Sequence, residues 1–541
     1  MKKTAFLLTI LLLFASVLSA CGGNKTDGEK AANGGTGKPE KGGTLIFGRG
    51  ADAVSLDPIN VTDGESIRVT YNIFETLFEY DADLNIKPRL ATSYETSEDG
   101  LTWTIHLRKG VKFHDGTDFN ADAVVFNFER WMDPNNPYHD GDFTYYTFLY
   151  GGFKGDENHK IVHVKALDDY TVEIRLKEKI APFLSYLAIP MFGISSPEAI
   201  KKYDDKYGEH PVGTGPFKFE SWDRNDKIVL TKNENYYEEG KPYLDQLIFR
   251  VIPDNSARLS ALKSGDIDIM DGLNPDDKNA VESDQNLDFV KRPSFNISYL
   301  AFNTEKAPFN DVKVRQAINM AINKQGIIDA FFNGLAEPAK NPLPPVLWGY
   351  NDGIPGYSYD PEKAKQLLAE AGYPDGFKTE LWAMSNPRPY LPQPLKVAEA
   401  IQADLKKVGI EAEIKTFEWA TYLDKVKNGE HPMALFGWTG VLADPDNFLY
   451  PNLSKTNTKK PANNIAFYKS DELTGLLEKA RVTIDQKERI ELYQKAQEIV
   501  FRDAPWVLLA HTAPPLAKAK YVKGFVAHPM NDSFTEVYLE K

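Results

Sequence analysis

An arginine set between two prolines, in Asn386-Pro387-Arg388-Pro389-Tyr390, is the best-placed charge in the chain for holding an anion. The prolines stiffen the backbone, and a guanidinium that stays charged offers a carboxylate two parallel hydrogen bonds. The competing reading is a solvated loop arginine or a surface partner of a nearby aspartate. A second stretch, Trp438-Thr439-Gly440-Val441-Leu442-Ala443-Asp444-Pro445-Asp446-Asn447-Phe448, mixes aromatic, glycine and acidic residues. Trp438 is suited to wall a cleft and Asp444 to accept from an ammonium, although Asp-Pro-Asp is equally a turn and helix-capping signal.

Constellations that would react with a bound molecule are missing. The chain has no Gly-x-Ser-x-Gly elbow, no His-Glu-x-x-His helix and no Cys/His cluster. His114-Asp115 has no third ligand at metal spacing, and Asp115-Gly116 reads more simply as a turn. A binding protein is therefore expected rather than an enzyme, with no catalytic residue, metal or cofactor.

The elements that must position these residues differ between the two halves. Residues 44–176 read mostly as strands, and in Thr171-Val172-Glu173-Ile174-Arg175-Leu176 the apolar residues alternate as in a half-buried strand. A short helix over 120–131 takes Asn120 as N-cap and turns Val124, Phe128 and Trp131 to one side. Gly213-Thr214-Gly215-Pro216 breaks the chain and marks a crossing between lobes.

Beyond it, strands and helices alternate, which argues for an α/β lobe with a parallel or mixed sheet. Asp360-Pro361 opens a helix as N-cap and first turn, and Gly372 ends it. A strand over 379–384, a loop over 385–393, a helix over 394–408 and a strand from Ile410 make one strand-helix-strand unit. Ligands gather beyond the carboxyl ends of such strands, so the Arg388 loop and the loop after a strand over 433–438 share a topological position.

Size and charge narrow the class. About 500 residues exceed what one core organises, so two or three lobes are expected. With 63 basic against 77 acidic residues and a net charge of −14, nucleic acid is not an expected partner. Lys2-Lys3, a mostly apolar run over 4–18 and Ser19-Ala20 make a secretory signal too short to be a comfortable membrane span. Leu18-Ser19-Ala20-Cys21 resembles the lipobox of bacterial lipoproteins, in which the cysteine becomes the lipidated N-terminus. An ordinary signal peptide that happens to contain a cysteine is the alternative. Cys21 is the only cysteine, and residues 22–43 hold no large apolar side chain, so they are expected to form a flexible tether. This places the body at the extracytoplasmic face of the cell membrane.

Three further segments carry a family resemblance. Asp99-Gly100-Leu101-Thr102-Trp103-Thr104-Ile105-His106-Leu107-Arg108-Lys109-Gly110-Val111-Lys112-Phe113-His114-Asp115-Gly116, Pro211-Val212-Gly213-Thr214-Gly215-Pro216-Phe217 and Asp311-Val312-Lys313-Val314-Arg315-Gln316-Ala317 resemble the peptide/nickel/oligopeptide class (family 5) of extracellular solute-binding proteins of ABC importers. Arg388-Pro389-Tyr390 and Gly437-Trp438-Thr439-Gly440 are most similar to its dipeptide-binding subgroup. The resemblance implies a type II (cluster C) periplasmic-binding-protein-like α/β fold, in which two lobes close on a ligand and a third elaborates the first.

It also implies the boundaries: signal peptide 1–20, lipidated tether 21–43, lobe I from 44–72, 217–296 and 512–541, lobe II 73–216, and lobe III 297–511. By the same resemblance Arg388 takes a ligand carboxylate, Trp438, Thr439 and Gly440 line the site, and Thr62, Asp63 and Gly64 face the cleft. The subgroup holds the ligand's amine with an aspartate three residues after the tryptophan, where this chain has Val441. An ammonium buried against valine lacks a partner and costs several kcal/mol. Either Asp444 or Asp446 reaches in, or Asp63 and Glu65 take the amine, or the ligand has no free α-amine.

The implied role is a monomeric receptor, anchored to the membrane by lipid on Cys21, that delivers small peptides to permease subunits working with their ATPases. Alternatives are the same role for a non-peptide anion such as a metal chelate, haem or an opine-like compound, a surface hydrolase, or a sensory lipoprotein.

Overall fold

A seven-stranded sheet is assembled from distant parts of the chain. Its strand order is Leu287–Lys291, Pro515–Ala519, Ile269–Asp271, Thr44–Arg49, Gln246–Val251, Lys227–Lys232 and Phe217–Asp223. Thr44–Arg49 pairs in parallel with Gln246–Val251, which sets Leu45 opposite Leu247 and Phe47 opposite Phe249. All four side chains are fully buried, as expected for the central strands of a covered sheet. The computed structural model describes residues 41–541. The signal peptide, Cys21 and the tether up to residue 40 lie outside the described residues. Gly42 and Gly43, expected in the tether, are instead tied to the fold: Gly42 donates to the Tyr243 carbonyl at 2.8 Å and Gly43 to Asp245 at 3.0 Å.

A four-stranded antiparallel sheet forms a second layer, in the order Ala91–Thr96, Thr102–Leu107, Thr171–Leu176 and Ile161–Asp168. Val172, Ile174 and Leu176 point inward, following their alternation in sequence. The helix Ala121–Met132 packs beside this sheet, capped by Asn120, whose side chain accepts from the Ala123 N–H.

The third sheet is mixed and six-stranded: Ala336–Pro338, Trp506–Thr512, Asn296–Phe302, Met433–Thr439, Lys378–Met384 and Glu411–Phe417. The helix Pro394–Lys407 links Lys378–Met384 to Glu411–Phe417, and these strands pair in parallel from Lys378↔Glu411 to Met384↔Phe417. Lys378–Met384 is also parallel to Met433–Thr439. Three strands therefore end at one edge of this sheet, and the loops that follow them share it.

Two antiparallel connections join the seven-stranded and six-stranded sheets. One runs from Lys291 to Asn296 and the other from Thr512 to Pro515. They are laced together: Asn296 donates its amide to the Thr512 carbonyl at 3.0 Å and accepts the Thr512 N–H at 3.0 Å. Paired short connectors of this kind confine motion between two sheets to a hinge. Among the described residues, no helix is long and apolar enough to cross a membrane.

Candidate ligand-binding site

A cavity of about 1290 Å³ lies between the seven-stranded and six-stranded sheets. One wall is built from the loops that leave the shared edge of the six-stranded sheet. After Met384 the chain turns tightly: Arg388 and Leu391 exchange backbone hydrogen bonds of 3.1 and 2.9 Å, with Pro389 and Tyr390 at the bend. The Pro389 carbonyl accepts the Thr512 hydroxyl at 2.8 Å, which fastens this loop to the hinge.

Arg388 lines the cavity half-buried, with its guanidinium 3.4 Å from the centroid of the Trp419 ring. Trp419 begins the helix that follows Glu411–Phe417, and it stacks in turn near Phe436 and Tyr422. A cation over an aromatic face gains attraction without consuming its N–H groups. Among the described residues, the buried Arg388 Nε has no hydrogen-bond partner and no carboxylate pairs with the guanidinium. Burial pulls its pKa below the ordinary arginine value, a cost that a bound anion would relieve.

The second loop is shaped by close packing. A Cβ on Gly437 would sit 2.2 Å from the Tyr390 ring, and one on Gly440 would sit 2.3 Å from the Phe295 ring. Glycine at both positions lets two aromatic rings reach the strand end. Trp438, Thr439, Gly440 and Val441 line the cavity from here.

The structure corrects the sequence reading of the acidic residues. Asp444 is 1 % exposed, does not line the cavity, and is held by both arms of Arg489 at 2.8 and 2.9 Å. The Arg489 guanidinium thus takes the carboxylate expected to receive a ligand ammonium. Asp446 also turns away, pairing with Arg481 at 3.3 Å, and burial pushes its carboxyl up from the ordinary value. On the opposite wall Thr62 and Gly64 line the cavity, but Asp63 does not. Its carboxylate caps the helix Gly64–Ile73 by accepting the Ser66 N–H at 2.9 Å. Glu65 is paired with Arg68 at 3.0 Å.

That wall contains a charge network the sequence reading did not find. Arg68 pairs with Asp271 and, at 3.1 Å, with Asp532, which also binds Arg292 at 2.9 Å. All four residues line the cavity. Burial opposes the Asp532 charge, yet Arg292 and Arg68 outweigh it and hold the carboxyl below its ordinary value. The members are separated by up to 464 positions, so no local pattern could reveal them. Trp419 was also missed, although the rule about carboxyl ends of parallel strands points to its loop as well.

The comparisons with known proteins agree with this architecture. Residues 85–460 match the family model for bacterial extracellular solute-binding proteins, family 5 Middle. Heme-binding protein A of Haemophilus influenzae is 37% identical over 555 aligned residues, covering 100% of this chain and 99% of that protein. The dipeptide-binding protein of Escherichia coli K12 is 38% identical over 500 residues, covering 90% of this chain and 92% of that protein. Among solved structures, the ABC transporter-associated periplasmic binding protein DppA from Helicobacter pylori, in complex with the peptide STSA, superposes with a TM-score of 0.78 at 42% identity, covering 93% of this chain and 99% of that one.

Proposed function

Because the chain belongs to the family 5 bacterial extracellular solute-binding proteins, we propose that it captures a small peptide by closing its two sheets about the paired connectors, and delivers it to an ABC importer. The observation that carries this reading is the unpaired Arg388 guanidinium, laid on Trp419 at the wall of the cavity. Such a group is poised for the carboxylate that every unmodified peptide ends in. Closure would follow from contacts the ligand makes to both walls together. In this reading the protein is a receptor rather than an enzyme and works as a monomer. Lipid on Cys21 and the tether behind it keep it near its permease, raising effective concentration without new contacts.

Titration with a panel of dipeptides, followed by tryptophan fluorescence, tests the reading, since Trp438 lines the cavity. Saturable quenching or enhancement is expected, and a panel without a binder would sink the peptide assignment. A second reading, a larger non-peptide anion such as haem or a metal chelate, is favoured by volume. The cavity, at about 1290 Å³, exceeds the ~300–1,000 Å³ usual for small-molecule sites. The name of the Haemophilus influenzae relative points the same way.

A further inference from the structure

Asn447 stands in the first turn of the helix Asp446–Leu453, lines the cavity and is 3 % exposed. Two N–H groups converge on its side-chain oxygen: the Val441 backbone at 3.1 Å and the Trp438 indole at 3.5 Å. Both can only donate, so they fix which end of the amide is oxygen. The Nδ2 amino group has no partner among the described residues and can act only as a donor.

The same wall offers Arg388, another pure donor, and it carries no carboxylate at all. Asp444 and Asp446, the acids of its own loop, are locked to Arg489 and Arg481 behind it. Four carboxylates line the cavity, all from outside this wall. Asp271 and Asp532 are neutralised by Arg68 and Arg292, and Asp277 accepts from Asn274 at 3.1 Å. Only Asp276 has no partner among the described residues, and it stands on an exposed turn.

We infer that Asn447 is a specificity-determining residue: through Nδ2 it reads a carbonyl or carboxylate oxygen on the ligand, so the site prefers peptides whose amino end is acylated over peptides with a free ammonium. The inference rests on the peptide-binding reading above. An ammonium placed against this wall meets Arg388, Val441 and neutral groups such as the Thr439 hydroxyl, with no carboxylate to offset its desolvation. An acyl oxygen at the same place takes the hydrogen bond that Asn447 Nδ2 leaves open.

The test is calorimetric titration of the full-length protein with L-alanyl-L-phenylalanine and with N-acetyl-L-alanyl-L-phenylalanine. The acetylated peptide is expected to bind at least tenfold more tightly. The variant Asn447→Asp keeps the acceptor that Val441 and Trp438 need and replaces the donor by a carboxylate oxygen. It should reverse the preference while the melting temperature stays near that of the parent. Tighter binding of the free peptide by the parent protein, or an unchanged preference in Asn447→Asp, would overturn the inference and leave the peptide reading standing. If neither peptide binds, the peptide reading itself falls and takes this inference with it. The comparison in the parent protein stands even if the variant does not fold.

Discussion

On the six-stranded wall of the cleft the Arg388 guanidinium sits over the Trp419 ring with no carboxylate paired to it among the described residues, whereas on the seven-stranded wall Arg68 and Arg292 are locked to Asp271 and Asp532. Both walls bring arginine to the same cavity, but the partners differ in kind. An aromatic face steadies a guanidinium and leaves its hydrogen bonds free, while carboxylates take them up. The first arrangement is suited to receive a ligand and the second to hold strands together. Asp532 joins Arg68 of the helix Gly64–Ile73 and Arg292 of the connector after Lys291, so its network ties segments that are distant in sequence. Substitutions on the two walls should therefore fail in different measurements.

The largest effect is expected from Asp532→Ala. Removing the shared carboxylate leaves Arg68 and Arg292 buried without their common partner, and breaking such a network costs ~3–5 kcal/mol of stability. Thermal or denaturant unfolding should show that loss. Acid provides a second readout with a defined sign. The folded carboxyl lies below its ordinary value, so its contribution is complete above the unfolded range near pH ~4 and is lost as pH falls through the folded value. Parent protein should therefore lose stability below pH ~4 more steeply than Asp532→Asn. An Arg388→Ala variant should keep the parent's acid limb, because no carboxylate on its wall depends on it.

Next comes Arg388→Ala, with the opposite signature. A charge-assisted hydrogen-bonded pair that is made only with the ligand contributes ~2–3 kcal/mol, so binding should weaken about 30- to 150-fold. The melting temperature should hardly move, since no protein group loses a hydrogen bond. A large fall in stability with intact binding would mean that the two walls have exchanged the roles argued for them.

How much of this was legible before the fold was seen depends on sequence distance. The strand-helix-strand unit is local: Pro394 opens its helix and Gly409 follows its end, while the second strand, expected from Ile410, runs from Glu411 to Phe417. Arg388, singled out by its flanking prolines, and Trp438, Thr439 and Gly440, singled out by family resemblance, all line the cavity. Asp444 was misread for the opposite reason. Its partner Arg489 is 45 positions away on another helix, and an aspartate before proline looks the same whether it faces a ligand or a buried guanidinium. Asp63 was misjudged more subtly. Its neighbours Thr62 and Gly64 do line the cavity, but a helix start at Gly64 claims the Asp63 carboxylate for the Ser66 N–H. Proximity to a cleft does not make a carboxylate available to it.

The smallest expected effect is the one that asks how the unpaired arginine is held. Trp419→Leu keeps an apolar side chain near Phe436 and Tyr422 but removes the aromatic face under the Arg388 guanidinium. A cation over an aromatic ring is worth ~0.5–2 kcal/mol, so ligand affinity should fall about three- to thirtyfold, less than in Arg388→Ala. Calorimetric titration of both variants with the same peptide orders them directly. If Trp419→Leu matches Arg388→Ala, the ring is indispensable and the guanidinium swings away without it. If affinity is unchanged, the Arg388–Leu391 turn and its tie to Thr512 are sufficient to aim the side chain. The intermediate outcome is expected because backbone stiffness fixes where Arg388 starts, while only the ring fixes where its charge ends.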